Sequence, residues 1–178
     1  MARLARFSSA LGPGSLTVMI DHPEQLASVA AIAQESGNPP HIFVKIDAHY
    51  GRAGVVADSP ACSELLDAVL AAEEAGDCVL HGLYCHAGHS YGTRDNWAAM
   101  HLLALEYAQL SGVAALVRHK SPGHPLVLSV GASPTATTIQ HPNFFGAAAE
   151  SDAPVQEVMK HLTDLKQAGF ELEVHAGV

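Results

Sequence analysis

Five short apolar runs alternate with amphipathic stretches along this chain. Residues 15–20, 41–46, 78–84, 126–130 and 170–175 are rich in Val, Ile and Leu and read as buried strands. Between them, apolar residues recur at three- and four-residue spacing, as on one face of a helix. Leu26, Val29, Ile32 and Ala33 form one stripe, and Leu65, Leu66, Val69 and Leu70 a second. Trp97, Met100, Leu103, Leu105 and Ala108 mark a long helix from about Asp95 to His119, which Gly112 is expected to interrupt. Val155, Val158, Met159, Leu162 and Leu165 mark a last helix, from Pro154 through Ala168. Local chemistry sets the ends. Asp21 with Glu24 three residues on reads as a capping box, Pro60 after Ser59 suits a first helical turn, and Gly37, Gly76 and Gly169 suit helix ends.

Strand–helix alternation predicts an α/β fold, with a parallel sheet and helices outside it. Either a barrel or a doubly wound sheet fits, because both deliver chemistry from the C-terminal ends of their strands. A closed barrel needs eight strands. Five are found, so residues 1–178 are expected to be one incomplete barrel domain, cut at both ends. The first residues, with Arg3 and Arg6, read as the end of a helix and not as a signal peptide. Residues 141–153 read as a Gly/Ala/Asp-rich loop.

Composition narrows the function classes. Of 178 residues 48% are hydrophobic and only 15% charged, which favours a packed interior over disorder. A net charge of -9 argues against free nucleic acid as a partner. Three cysteines without a CxxC pair argue against a disulfide framework and make a reducing cytoplasm the simplest compartment. No uninterrupted apolar run reaches the ~18 residues of a membrane span.

Candidate chemistry collects after the strands. The fourth runs into Ser129-Val130-Gly131-Ala132-Ser133-Pro134-Thr135, a stretch of small hydroxyls around a glycine. Such a loop offers N–H and O–H groups to an anion such as a phosphate, although an ordinary Ser/Pro turn would look the same. On the second strand, Lys45 and Asp47 share a face, with Arg52 a short loop away. They could form a polar network, or Lys45 could lie at the surface while Asp47 caps a turn. The third strand ends in Tyr84, Cys85, His86, His89 and Tyr91. These could be a zinc site, though the spacing matches no strong zinc signature. They could be an aromatic and imidazole wall for a flat cofactor, or one core histidine and several solvated ones. On the fifth strand Glu171 and Glu173 read as edge charges, and Gly177 could add a backbone amide to the anion site.

Taken together, the segments Phe43-Val44-Lys45-Ile46-Asp47, Gly51-Arg52-Ala53-Gly54-Val55, Gly82-Leu83-Tyr84-Cys85-His86-Ala87-Gly88-His89-Ser90-Tyr91, Ser129 to Thr135 and Glu173-Val174-His175-Ala176-Gly177 resemble, in order, the D-serine dehydratase branch of the alanine racemase-like, fold-type III pyridoxal-phosphate enzymes. The resemblance covers nearly the whole chain. It implies a (β/α)8 barrel followed by a β domain, and a D-amino-acid lyase that turns D-serine into pyruvate and ammonia with pyridoxal phosphate and zinc. D-Threonine aldolase chemistry on the same scaffold, or a non-catalytic pyridoxal-phosphate or phosphate-binding module, are the alternatives. It also implies phosphate contacts from Gly131, Ser133, Thr135 and Gly177, a ring wall of Tyr84, His86 and Tyr91, and a network of Lys45, Asp47 and Arg52. A homodimer is expected of the intact protein. The family's Schiff-base lysine has no counterpart before Ser15, and Lys45 is not assigned that role. The family's zinc-binding His and Cys would fall after Val178. Ser133 stands for a usual Thr, and His49 for a frequent Gly, where a positive φ would cost roughly 1 kcal/mol or more. The isolated chain is expected to be inactive.

Overall fold

The computed structural model is described for residues 1–140 and 153–175. Helix α1 (Ala2–Leu11) precedes five strands, β1 (Thr17–Ile20), β2 (His41–Ile46), β3 (Val79–Cys85), β4 (Val127–Val130) and β5 (Glu171–Val174). Between them lie α2 (Leu26–Ser36), α3 (Pro60–Glu74), α4 (Asn96–Lys120), α5 (Ser133–Thr138) and α6 (Ala153–Gln167). All strand pairs are parallel, and the order in the sheet is β1-β2-β3-β4-β5. An order that never reverses decides between the two expected architectures. Right-handed crossovers then put every helix on the same side, as in a sector of a barrel, whereas a doubly wound sheet covers both faces.

The two faces of the sheet differ in chemistry. On the helix side, Ile42, Val44, Ile46, Leu80, Leu83, Cys85, Leu128 and Val130 are all buried. They pack against Val29 of α2, Leu65, Leu66 and Val69 of α3, and Met100, Leu103, Tyr107, Leu110, Val113 and Val117 of α4. Burying one such aliphatic side chain is worth roughly 1.5–3 kcal/mol. The opposite face carries His41, Phe43, Lys45, His81, Tyr84 and His175, whose rings touch one another across the strands.

Several ends form as the sequence predicts. Ser59 Oγ accepts from Cys62 N–H at 3.2 Å ahead of Pro60, and Asp95 Oδ1 accepts from Ala98 N–H at 2.8 Å ahead of α4. Each such cap contributes about 1 kcal/mol. The capping box at Asp21 is corrected. His22 is the capping residue of a short 3-10 turn, Pro23–Gln25, and Gln25 Oε1 returns to the N–H groups of Asp21 and His22. Asp21 instead reaches across the sheet end and accepts from Gly54 N–H at 3.0 Å, pinning the loop after β2. Gly112 does not interrupt α4. A mid-helix glycine costs about 1 kcal/mol, and the buried side chains on either side, from Tyr107 to Val117, outweigh it. Helix α4 is also long and apolar enough to cross a bilayer on composition alone, but its apolar face is packed in the core. The loop expected at residues 141–153 lies outside the described residues, except that Ala153 already opens α6.

One close approach fixes how β3 meets β4. Gly82 lies opposite Val127, and a Cβ at Gly82 would collide with the Val127 carbonyl oxygen and sit 2.7 Å from the Phe43 ring. The strand therefore tolerates no side chain there. Gly82→Ala should lower stability by about 3 kcal/mol, the upper part of the overpacking range. Urea unfolding monitored by circular dichroism would read this as a lower midpoint at unchanged slope. A loss below about 1 kcal/mol would show that the β3–β4 spacing is not set at Gly82.

Candidate functional site

The C-terminal ends of β2, β3, β4 and β5 converge on the polar face. Strand register places Lys45 beside Tyr84 and Tyr84 beside Ser129, with Ser129 in turn beside Glu173. The rings follow that register. Tyr84 and His175 stack at 4.3 Å between centroids and 11° between planes, and His86 lies 5.9 Å from His175 at 17°. The Lys45 ammonium sits 4.7 Å from the centre of the Tyr84 ring, a cation–π contact. Tyr84 and His86 are thus brought onto one face, with His175 stacked against both. Tyr91 borders it, its ring 6.3 Å from His86.

Burial tunes these groups. It pushes the Lys45 amine below its usual value, with Arg52 adding to the effect, and pushes the Tyr84 phenol up. His175 is lowered by burial first and by the neighbouring His86 second. The expected network of Lys45, Asp47 and Arg52 is not closed by hydrogen bonds. Asp47 spends its carboxylate on Tyr50 N–H (3.1 Å) and Gly51 N–H (3.1 and 3.2 Å), so it caps the turn after β2. That turn needs a left-handed residue, and His49 supplies it at φ 59°, a conformation that costs a non-glycine residue about 1–2 kcal/mol. Arg52 is exposed and lines a narrow cleft with Lys45, Asp47 and His86.

The predicted anion loop turns out to be a strand–helix junction. Gly131 has φ 132°, and a Cβ there would collide with the His175 carbonyl, so only glycine lets β4 and β5 close at this height. Its carbonyl is held by His86 Nδ1 at 2.8 Å. Ser133, Pro134 and Thr135 form the first turn of α5. Thr135 Oγ1 accepts from Ala132 N–H at 2.7 Å, and Ser133 N–H points at the Tyr91 hydroxyl at 3.4 Å. The Tyr91 oxygen also lies 3.3 Å from Ser133 Oγ, and hydrogen bonding with Ser133 lowers the phenol's pKa. The Tyr91 hydroxyl therefore stands where the loop offers its donors. Gly177 lies outside the described residues.

Other predicted residues are placed elsewhere. His81 stacks on His41 at 5.0 Å near the start of the strands, remote from His86. His89 stacks on Tyr50 at 5.4 Å at the lip of the site. Cys85 is fully buried on the helix side, on the opposite face of β3 from Tyr84, and its thiol is pushed well up by burial. Among the described residues, no three His, Cys, Asp or Glu side chains converge to hold a metal. The largest cleft described, about 500 Å³, lies at the other end of the strands between α3 and α4. Asp67, Glu73, Glu74 and Lys120 line it, and it holds none of the predicted residues.

Two groups escaped sequence reasoning. Ser129 Oγ donates to Glu173 at 2.6 Å and lies 3.0 Å from His175 Nδ1, so Glu173 is more than an edge charge. Glu106, from α4, is completely buried, and its Oε1 accepts from both Ala87 N–H (2.8 Å) and Gly131 N–H (3.2 Å). The signal was present: Glu106 falls between Leu103 and Leu110 on the buried stripe of α4, whereas Leu105 and Ala108 lie at its margin. Burial raises the Glu106 carboxyl to about 7, against the pull of the Ala87 N–H, the Thr135 side chain and the Gly131 N–H. Its protonated form is thus favoured by folding. That contribution to stability is complete below the unfolded value near 4.5 and is lost as pH rises through about 7. Glu106→Gln should remove this dependence. Urea unfolding should find the variant more stable than the parent at pH 8, by on the order of 2–3 kcal/mol, and equal to it near pH 4. Parallel curves for the two proteins would show that Glu106 is not held neutral by the fold.

Comparison with known proteins gives the family of this fold. Residues 4–146 match the family model described as alanine racemase, N-terminal domain. A D-serine dehydratase of Schizosaccharomyces pombe (strain 972 / ATCC 24843) is 35% identical over 165 residues, covering 91% of this chain and 35% of that enzyme. The structure of D-threo-3-hydroxyaspartate dehydratase from Delftia sp. HT23 superposes with a TM-score of 0.61 at 26% identity, over 89% of this chain and 35% of the other. Alanine racemase from Streptomyces coelicolor A3(2), at 19% identity and a TM-score of 0.61, shares the fold over 96% of this chain. The chain spans about a third of the length of these relatives. With its unreversed parallel sheet and a site built at the C-terminal strand ends, it belongs to the family of the alanine racemase N-terminal domain.

Proposed function

We propose that residues 1–178 are an incomplete barrel domain of a cytoplasmic pyridoxal-phosphate-dependent D-amino-acid lyase, acting as a D-serine dehydratase within a longer, homodimeric protein. The observation that carries this reading is the convergence of the Tyr84–His86–His175 wall and the Gly131–Thr135 junction on one end of the sheet. Gly131 supports this arrangement because, with no Cβ to collide with the His175 carbonyl, it brings the junction's backbone and hydroxyl groups up beside the wall. Gly131, Ser133 and Thr135, with Gly177 from the residues after β5, would face the phosphate. Tyr84, His86 and Tyr91 would flank the ring.

When bound, pyridoxal phosphate supplies a ring that accepts the electron pair left on the substrate Cα. The chain's own residues orient and shield it. His86 is fixed by the Gly131 carbonyl, and that bond sets which ring nitrogen carries the proton. Tyr84 shields one side of Lys45 from water. The relatives' names share a β-hydroxy amino acid, D-serine in one and 3-hydroxyaspartate in the other, which points to loss of a β-hydroxyl as the common step. The described residues do not fit zinc, and no step is derived through it. The covalent lysine of the reaction is assigned outside this chain.

The test combines pyridoxal phosphate titration of the purified chain, intact mass after borohydride, and a pyruvate assay with D-serine. Saturable binding without a covalent adduct and without pyruvate is expected. A stoichiometric adduct on Lys45, or turnover of D-serine, would contradict the assignment of the lysine outside the chain. No binding at all would remove the cofactor reading.

A further inference from the structure

Beyond Tyr84↔Ser129, the β3–β4 pairing stops. The two chains then part, one toward His86 and Ala87, the other toward Gly131. Their next amides, Ala87 N–H and Gly131 N–H, have no partner across the gap on the neighbouring strand. A buried N–H without an acceptor costs about 1–3 kcal/mol. Both donate to the same atom, Glu106 Oε1, which rises from α4 beneath the gap. The other oxygen, Oε2, is buried, and the Thr135 side chain also lies close enough to the carboxyl to act on it. This carboxyl therefore stands in for the missing rung of the ladder.

What it ties together matters. Ala87 follows His86 directly, and the Gly131 carbonyl is the group that His86 Nδ1 holds. Glu106 thus grips the Gly131 residue by its N–H while His86 grips it by its carbonyl. The turn into Ser133 and Thr135 is aimed by this double hold. We infer that Glu106 is a positioning residue: through Ala87 and Gly131 it locks the imidazole wall to the phosphate-facing junction, and so sets the affinity for the phosphate group of a ligand. This rests on the cofactor reading above for the identity of the ligand, but the clamp itself does not.

The role needs an acceptor at Oε1, not a charge, which separates two variants. Glu106→Gln keeps a carbonyl oxygen for both N–H groups, whereas Glu106→Leu keeps the volume and removes the acceptor. The experiment compares dissociation constants for pyridoxal phosphate and for pyridoxal, which lacks the phosphate, across the full-length parent chain and both variants. The preference for pyridoxal phosphate should fall at least about tenfold in Glu106→Leu and stay within about threefold of the parent in Glu106→Gln. A general loss of folding would weaken both probes alike and leave no such pattern. Unchanged preference in Glu106→Leu, equal loss in both variants, or parallel weakening of both probes would overturn the inference.

Amide hydrogen exchange of Ala87 and Gly131 without ligand gives a second readout. Protection should persist in Glu106→Gln and drop at least about tenfold in Glu106→Leu relative to neighbouring strand amides. If the parent shows no preference for the phosphate-bearing probe, the cofactor reading fails, and the exchange result alone decides the clamp. Unchanged protection in Glu106→Leu would then overturn it.

Discussion

The close pairing of β3 with β4, and its abrupt end, is the constraint on which the rest of the site depends. Gly82 lets the two backbones meet without a side chain between them. That contact brings the polar ends of the strands to the same height. Past Tyr84 the ladder gives out, and Glu106 and His86 take over as side-chain rungs. Backbone amides that would otherwise face a water-poor gap are satisfied from the helix layer below. The consequence is a fixed relation between the histidine wall and the strand–helix junction, the relation that a ligand with a flat ring and an anionic tail would need.

The two faces of the sheet have separate duties. The helix side is apolar and well packed, so stability is vested there. The opposite side holds imidazoles, phenols, a lysine and a Ser–Glu pair, stacked at ring distances of 4.3 to 5.9 Å across β3 and β5. Burial lowers the Lys45 and His175 pKa values together on this face. Groups tuned in this way cluster at sites of chemistry more often than elsewhere. A cleft of greater volume lies toward the opposite strand ends, with Asp67, Glu73, Glu74 and Lys120 on its walls.

Much of this was legible along the chain. Short runs carrying Val, Ile and Leu located the strands, because the alternate positions that face the helices are apolar and buried. Pro60 after Ser59 located one helix start, because proline's fixed φ suits a first helical turn. Tyr84 and His86 were placed together by the two-residue period of a strand. What failed was longer in range. Asp21 has the spacing of a cap, yet its carboxylate is claimed by Gly54, thirty-three residues on. The Lys45–Asp47–Arg52 group stays open between a network and a turn cap in the sequence, because strand alternation says nothing of the turn that consumes Asp47. Glu106 was passed over since an acid on a helix is ordinarily solvated, and only the end of the β3–β4 ladder explains its burial. Glu173 likewise acquires its partner through the β4–β5 register.

The central claim is that one end of this sheet, and not the roomier cleft at the other, receives a phosphate-bearing ring. Mapping amide chemical shifts of the isotope-labelled chain during titration with pyridoxal phosphate tests it most directly. The account predicts saturable shifts concentrated at Ala87, Tyr91, Gly131, Ala132 and Thr135, with little change at Asp67, Glu73 and Lys120. Shifts centred on Asp67, Glu73 and Lys120, or none that saturate, would contradict it.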